Sequence, residues 1–140
     1  MIVADTGVLY AATDRADAHH ERCRDWIEAN NEVLLIPATV LAEVSFLIDR
    51  ALGPEAEATF LDDVGTGEDA PYRLIDLTEQ DLRRMAEPVR RYSDRRLGAT
   101  DASIVAVCER LKIDTVASLN HRDFANLRPK HCPALLLVPD

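Results

Sequence analysis

Three cysteines, Cys23, Cys108 and Cys132, are all that this 140-residue chain contains. They are odd in number and lack metal-ligand spacing, so neither a disulfide framework nor a zinc site is expected, and they read as reduced thiols. Long apolar runs are absent too, and none approaches a membrane span. The opening Met1–Ala4 run is broken by Asp5, which does not fit a secretory signal; the expected compartment is the cytoplasm. No glycine-rich phosphate loop and no Gly-x-Ser-x-Gly elbow is present, which argues against P-loop and serine-hydrolase chemistry. A strand ending in Asp5 could suggest an aspartyl phosphatase, but that chemistry wants a second aspartate two residues on, and Gly7 stands there. His19 and His20 fall on a polar helix face and read as surface residues.

Basic charge is scarce overall: the formal net charge is −9, which on its face disfavours nucleic acid. The distribution changes this. Residues 1–70 hold 15 acidic and 4 basic side chains, a balance of −11, whereas residues 71–140 hold 10 acidic and 12 basic, a balance of +2. Arg83, Arg84, Arg90, Arg91, Arg95 and Arg96 crowd one stretch, and Arg122, Arg128 and Lys130 follow. Solvated helix faces explain this as well as a basic surface beside an acidic site does.

The length suits one domain over residues 1–140. Short continuous apolar runs at Ile2–Ala4, Val33–Ile36, Tyr72–Leu77, Asp114–Ala117 and Ala134–Val138 predict five strands. Helical periodicity predicts helices over Thr6–Ala12, Asp17–Asn30, Thr39–Leu52 with Thr39 as N-cap, Glu55–Val64, Thr78–Tyr92 with a bend near Pro88, and Thr100–Leu111. Alternating strands and helices imply an α/β, doubly wound sheet, mostly parallel, with helices on both faces. Such sheets bind ligands outside the carboxyl ends of their strands.

Three carboxylates sit in suspicious places. Asp101 lies on the stripe of Ile104, Val105 and Cys108, where an apolar residue is expected. An unpaired buried carboxylate costs several kcal/mol or more. Helix-dipole complementation alone is the competing account. Asp5 directly follows a strand, where it is either functional or a helix N-cap. Glu43 flanks the stripe of Val40 and Leu47 and, taken alone, reads as an amphipathic edge residue. If the three meet at one sheet edge, a divalent cation relieves their repulsion, and all-oxygen ligands suit magnesium or manganese. Such a site clamps a phosphodiester and activates a bound water.

These residues stand in four blocks that resemble PIN-domain ribonucleases, in particular the VapC-type toxins of toxin–antitoxin pairs. The blocks are Ile2-Val-Ala-Asp-Thr-Gly-Val-Leu9, Pro37-Ala-Thr-Val-Leu-Ala-Glu-Val44, Asp94-Arg-Arg-Leu-Gly-Ala-Thr-Asp-Ala-Ser103, and Val116-Ala-Ser-Leu-Asn-His-Arg-Asp-Phe124 with Leu127-Arg-Pro129. The resemblance spans essentially the whole chain. It implies a PIN-like sheet, dimerisation, Mg2+- or Mn2+-dependent endonucleolytic cleavage of structured RNA (transfer or ribosomal), and a small antitoxin that blocks the site. It implies Asp5 and Asp101 as direct metal ligands and Glu43 acting through water, with Thr6 in support and Arg95 and Arg96 on phosphate. The family usually carries an aspartate where this chain has Asn120; Asp123 either supplies the remaining carboxylate or caps its own loop. Two other readings are a PIN nuclease of RNA maturation and a catalytically weak interaction module whose acidic cleft holds a partner's arginines.

Overall fold

The structure, a computed structural model, describes residues 1–140. Six parallel strands form one sheet in the order β3-β4-β2-β1-β5-β6. They are β1 (Ile2–Ala4), β2 (Leu34–Pro37), β3 (Val64–Gly65), β4 (Tyr72–Ile75), β5 (Thr115–Ala117) and β6 (Leu136–Val138). Every residue of β1 and β2 is buried, as continuous apolar runs between parallel neighbours require. Val3 aligns with Leu35 on one side and Val116 on the other. The edges are shorter or wetter: β3 has two residues, and Leu136 of β6 is exposed.

Seven helices accompany the strands: α1 (Thr6–Thr13), α2 (His20–Ala29), α3 (Ala38–Leu52), α4 (Pro54–Asp62), α5 (Glu79–Arg91), α6 (Ala99–Leu111) and α7 (His121–Ala125). A 3-10 turn spans Ser93–Arg95. Helix α1 packs on α2 and α3, α3 on α4, and α5 lies along α6. No helix is long and apolar enough to cross a membrane. The buried apolar residues form one cluster that reaches from Ile2 to Leu135. Cys23 and Cys108 are buried in it, and none of the three cysteines is in a disulfide.

The fold class agrees with the sequence reading, and the differences are local. There are six strands, not five, because Val64–Gly65 gains strand geometry only by pairing with Tyr72–Arg73. Helix α3 starts at Ala38 with Pro37 as its N-cap, so Thr39 is inside the helix; its hydroxyl instead meets Ser103 on α6. Gly53, at φ 91°, ends α3 in a conformation open to glycine, and Pro54 starts α4. Helix α6 is not amphipathic: Ala102 to Glu109 are all buried, since α3, α5, β1 and β2 surround it.

Thr78 opens α5 with a full capping box. Its hydroxyl accepts from the Asp81 amide at 3.1 Å, and the Asp81 carboxylate accepts from the Thr78 amide at 3.0 Å. Asp81 also accepts from Arg110 Nε of α6 at 3.0 Å. Thr78→Ala is expected to cost about 1 kcal/mol in urea unfolding. A loss under about 0.3 kcal/mol would mean that Asp81 and Arg110 hold this helix start without the cap.

Candidate active site

Strand order fixes where a site belongs. After β1 the chain goes to β2 on one side, and β5 returns on the other, so the winding reverses between β1 and β5. The crevice beyond their carboxyl ends is the expected ligand site of such a sheet. Asp5 and Ser118 are the residues that directly follow these two strands. The Asp5 amide donates to the Ala117 carbonyl at 2.8 Å, which extends the pairing by one rung and sets the two side chains next to each other. Ser118 Oγ donates to Asp5 Oδ2 at 2.7 Å, and the Thr6 amide donates to Oδ1 at 2.7 Å. Asp5 is thus both the N-cap of α1 and the buried acid at the switch point, 7% exposed.

Asp101 arrives from the other direction. Helix α6 leads into the start of β5, so its N-terminus lies at the carboxyl edge of the sheet, and Asp101 is in its first turn, half-buried. Burial pushes its carboxyl up to about 6, helped by the charges of Asp5, Asp123 and Glu43. The Asp5 carboxyl is also raised by burial; its hydrogen bonds from Ser118 and Thr6 pull the other way, and Glu43 adds to the rise. Asp101 thus lies within electrostatic reach of Asp5, Glu43 and Asp123, and Asp5 within reach of Glu43.

Glu43 is exposed, two turns into α3, and accepts from Thr100 Oγ1 at 2.6 Å. Thr100 immediately precedes Asp101, and its carbonyl accepts from Ser103 Oγ at 2.6 Å, the same hydroxyl that meets Thr39. A line of hydroxyls therefore ties the start of α3 to the start of α6 and keeps Glu43 beside Asp101. Asn120 and Asp123 are exposed; Asn120 Nδ2 donates to Asp123 Oδ2 at 2.8 Å. The Asp123 carboxylate is held by that amide rather than by its own backbone, and it is near enough to act on Asp101. The Asn120 amide donates to Ser118 Oγ at 2.9 Å, which completes a relay to Asp5.

The donor set is one of hard oxygens. No three of its carboxylates close into a ready-made metal cage. Magnesium does not need one, since it takes one or two protein carboxylates and keeps its waters. Thr6 Oγ1 is buried beside Asp5 with no hydrogen-bond partner, a group that costs about 1–3 kcal/mol unless a ligand or water meets it. Two carboxyls raised by burial and then by neighbouring charge, with an orphaned hydroxyl beside one of them, fit a divalent cation.

A cleft joins this acidic centre to cationic residues. Arg95 and Arg96 line it with Asp101 and Asp123, above Tyr92, Leu97 and Leu127. Arg96 is left-handed at φ 52°, a conformation that costs a side-chain-bearing residue about 1–2 kcal/mol. His20 lies outside the site; its Nδ1 bonds the Ala11 carbonyl at 2.9 Å.

Asp5 and Asp101 are marked in the sequence by their own placement; Thr6, Glu43, Asn120, Asp123, Arg95 and Arg96 stand out through the four blocks. Ser118 and Thr100 were missed. Ser118 had a signal, because it follows β5 as Asp5 follows β1.

Residues 2–128 match the PIN domain family, and the chain belongs to it. Ribonuclease VapC26 of Mycobacterium tuberculosis (strain ATCC 25618 / H37Rv) is 28% identical over 128 residues, which cover 91% of this chain and 93% of that protein. Among solved structures, Mycobacterium tuberculosis VapC20, a sarcin-ricin loop cleaving toxin, is similar with a TM-score of 0.74 at 22% identity, over 83% of this chain and 87% of that one. A toxin–antitoxin complex from Klebsiella pneumoniae gives 0.67 at 17% identity, over 97% and 100%. At such identities the two structures speak to the fold alone.

Proposed function

We propose that this chain is a VapC-type ribonuclease toxin that cuts structured RNA, transfer or ribosomal, with a water activated by Mg2+ or Mn2+. The observation that carries this reading is the gathering of acids at the β1/β5 switch point: Asp5 bonded to Ser118 beyond β1 and β5, Asp101 in the first turn of α6, and Glu43 bonded to Thr100 beside it. Similarity to a ribonuclease along 91% of the chain supports it. Asp5 and Asp101 would hold the cation directly, and Glu43 would bind it through water or orient the attacking water. Held there, a cation would lower the pKa of a bound water and offset charge on the phosphate. Thr6 would donate from its free hydroxyl, and Asp123, fixed by Asn120, would supply the remaining carboxylate. Arg95 and Arg96 would hold the RNA phosphates. A small antitoxin would block the site, and the toxin would act as a homodimer in the cytoplasm. Glu43 and Thr100 at the rim, fixed to each other, would set how far a blocking segment enters.

Two measurements test this together. Saturating Mn2+ should raise the thermal stability, by about 2.7 kcal/mol at a hundred times its Kd. The same protein with Mn2+ should leave discrete cut ends in total cellular RNA, mapped by sequencing. Indifference of the melting temperature to Mn2+, with no cut ends, would sink the proposal.

A further inference from the structure

A second cleft continues the first. Tyr92 and Leu127 line both, so the two adjoin as one groove that begins at Asp101 and Asp123 and ends among Arg91, Arg128 and the Arg84–Glu87 pair. Cations stand at both ends of the shared aromatic: Arg95 and Arg96 on the side of the acids, Arg91 and Arg128 on the far side. None of these four forms an ion pair, although seven ion pairs exist and the neighbouring Arg84, Arg110 and Lys130 are all engaged in them. Arg91 Cζ lies over the Tyr92 ring, 5.7 Å from its centre, so the guanidinium covers one face of the phenol and the two present a stacked pair to the groove.

Cations without acidic partners on either side of a half-buried aromatic and its stacked arginine can hold single-stranded nucleic acid: phosphates meet the charges, and a base meets the exposed part of the pair. We propose that the groove from Asp101 and Asp123 over Tyr92 to Arg91 and Arg128 holds a stretch of unpaired RNA next to the scissile phosphate, with one base on Tyr92. This rests on the nuclease reading of the acidic centre and adds to it a direction for the strand. An acidic peptide could use the arginines but gains nothing from Tyr92, whereas a nucleotide uses both. Unpaired bases are also what a structured RNA offers in its loops. Arg91 and Arg128 thereby acquire a role outside the reacting centre.

The test is fluorescence anisotropy of the full chain with a labelled twelve-nucleotide single-stranded RNA in EDTA, which holds off cleavage. Arg91→Ala/Arg128→Ala should weaken binding roughly 10-fold at moderate salt and flatten the log–log salt slope by about 1.4, at about 0.7 for each lost phosphate contact. Tyr92→Ala should weaken it about 10-fold with the slope unchanged, and Tyr92→Phe, which keeps the packed ring, should bind within about 2-fold of wild type. Arg15→Ala, at an exposed position outside the groove, is the control. An unchanged affinity and slope in the double arginine variant overturns the proposal. So does displacement of the RNA by polyglutamate as effectively as by unlabelled RNA, which would indicate a general anion surface or a site for an acidic partner. A wild type that binds in this pattern but never cleaves with Mn2+ removes the nuclease reading and keeps the groove. Cleavage by wild type with variants that bind normally does the reverse.

Discussion

Asp101→Asn should abolish RNA cleavage while making the metal-free protein more stable. The first half follows from the charge that a cation needs. A metal that polarises the phosphate supplies several kcal/mol to the transition state. Losing about 4 kcal/mol of it lowers the rate on the order of 10^3-fold. The second half follows from the carboxyl pushed up to about 6. An acid whose folded value is raised destabilises the fold wherever it is ionised. The cost is absent below its unfolded value, near 3.9, and complete above about 6. A full two-unit rise would be worth about 3 kcal/mol, and solvent access to this half-buried group reduces that to about 1–2 kcal/mol. Urea unfolding in EDTA should therefore favour the asparagine variant at pH 7.5, with the advantage fading toward pH 4. A variant that still cuts RNA, or is less stable than wild type at pH 7.5, contradicts the assignment of Asp101 to the reacting centre.

Arg84→Ala should produce the largest loss of stability. Glu109 lies in α6 with a side chain 10% exposed, and Arg84 of α5 grips it with two bonds, Nε to Oε2 at 2.6 Å and Nη2 to Oε1 at 2.8 Å. The Lys130 amide donates to Oε1 at 2.8 Å. Burial alone would raise the Glu109 carboxyl, but these donors and the charges of Arg84 and Lys130 outweigh it and hold it below the ordinary range. Removing the guanidinium leaves a buried carboxylate with one amide partner, a loss of about 3–5 kcal/mol. At about 3 °C per kcal/mol, the melting temperature should fall by roughly 10 °C or more. The pH dependence has the opposite sign to that of Asp101. A depressed folded value contributes stability above the unfolded value, near 4.3, and loses it as pH falls through the folded one, so wild type should lose its margin over the variant in acid. Arg84→Met/Glu109→Leu should recover most of the loss, because apolar pairs of similar volume commonly replace buried ion pairs without penalty. A cost below about 1 kcal/mol for Arg84→Ala would show the pair to be an incidental contact.

What could be read in advance follows from how local each cause is. Strands β1 and β2 are continuous apolar runs, and burial on both faces writes itself into composition. Strand β3 is two residues whose only reason to be a strand is the neighbouring β4, so no window of sequence contains it. Helix α7 is five residues long, too short to display a period, and it was taken for loop. In helix α6 the stripe of Ile104, Val105 and Cys108 shows only one apolar face, yet tertiary packing covers every side from Ala102 to Glu109. Asp5 and Asp101 are legible because a charge next to a strand end or inside an apolar stripe is costly and therefore conspicuous, whereas Glu43 and Asp123 stand out only through the resemblance of their blocks. Ser118 and Thr100 were not, because a small hydroxyl costs little anywhere, and only folding reveals which carboxylate it serves.

The enclosure of α6 has a consequence for how the centre handles its own repulsion. Four negative groups at one sheet edge would ordinarily ease apart by loosening whichever element yields first. Asp101 rides on a helix enclosed by its neighbours, Asp5 is locked between two strands, and Glu43 is tethered to the residue beside Asp101. Asp5 and Asp101 cannot retreat without disturbing the core, whereas the exposed Glu43 and Asp123 are each held by one hydrogen bond. The fold thus behaves as a rigid frame around a compressed spring, and the tension it holds is released when positive charge enters. A cation would then meet two carboxylates, Asp5 and Asp101, already fixed in place, and would complete its shell with waters and the exposed acids at the rim.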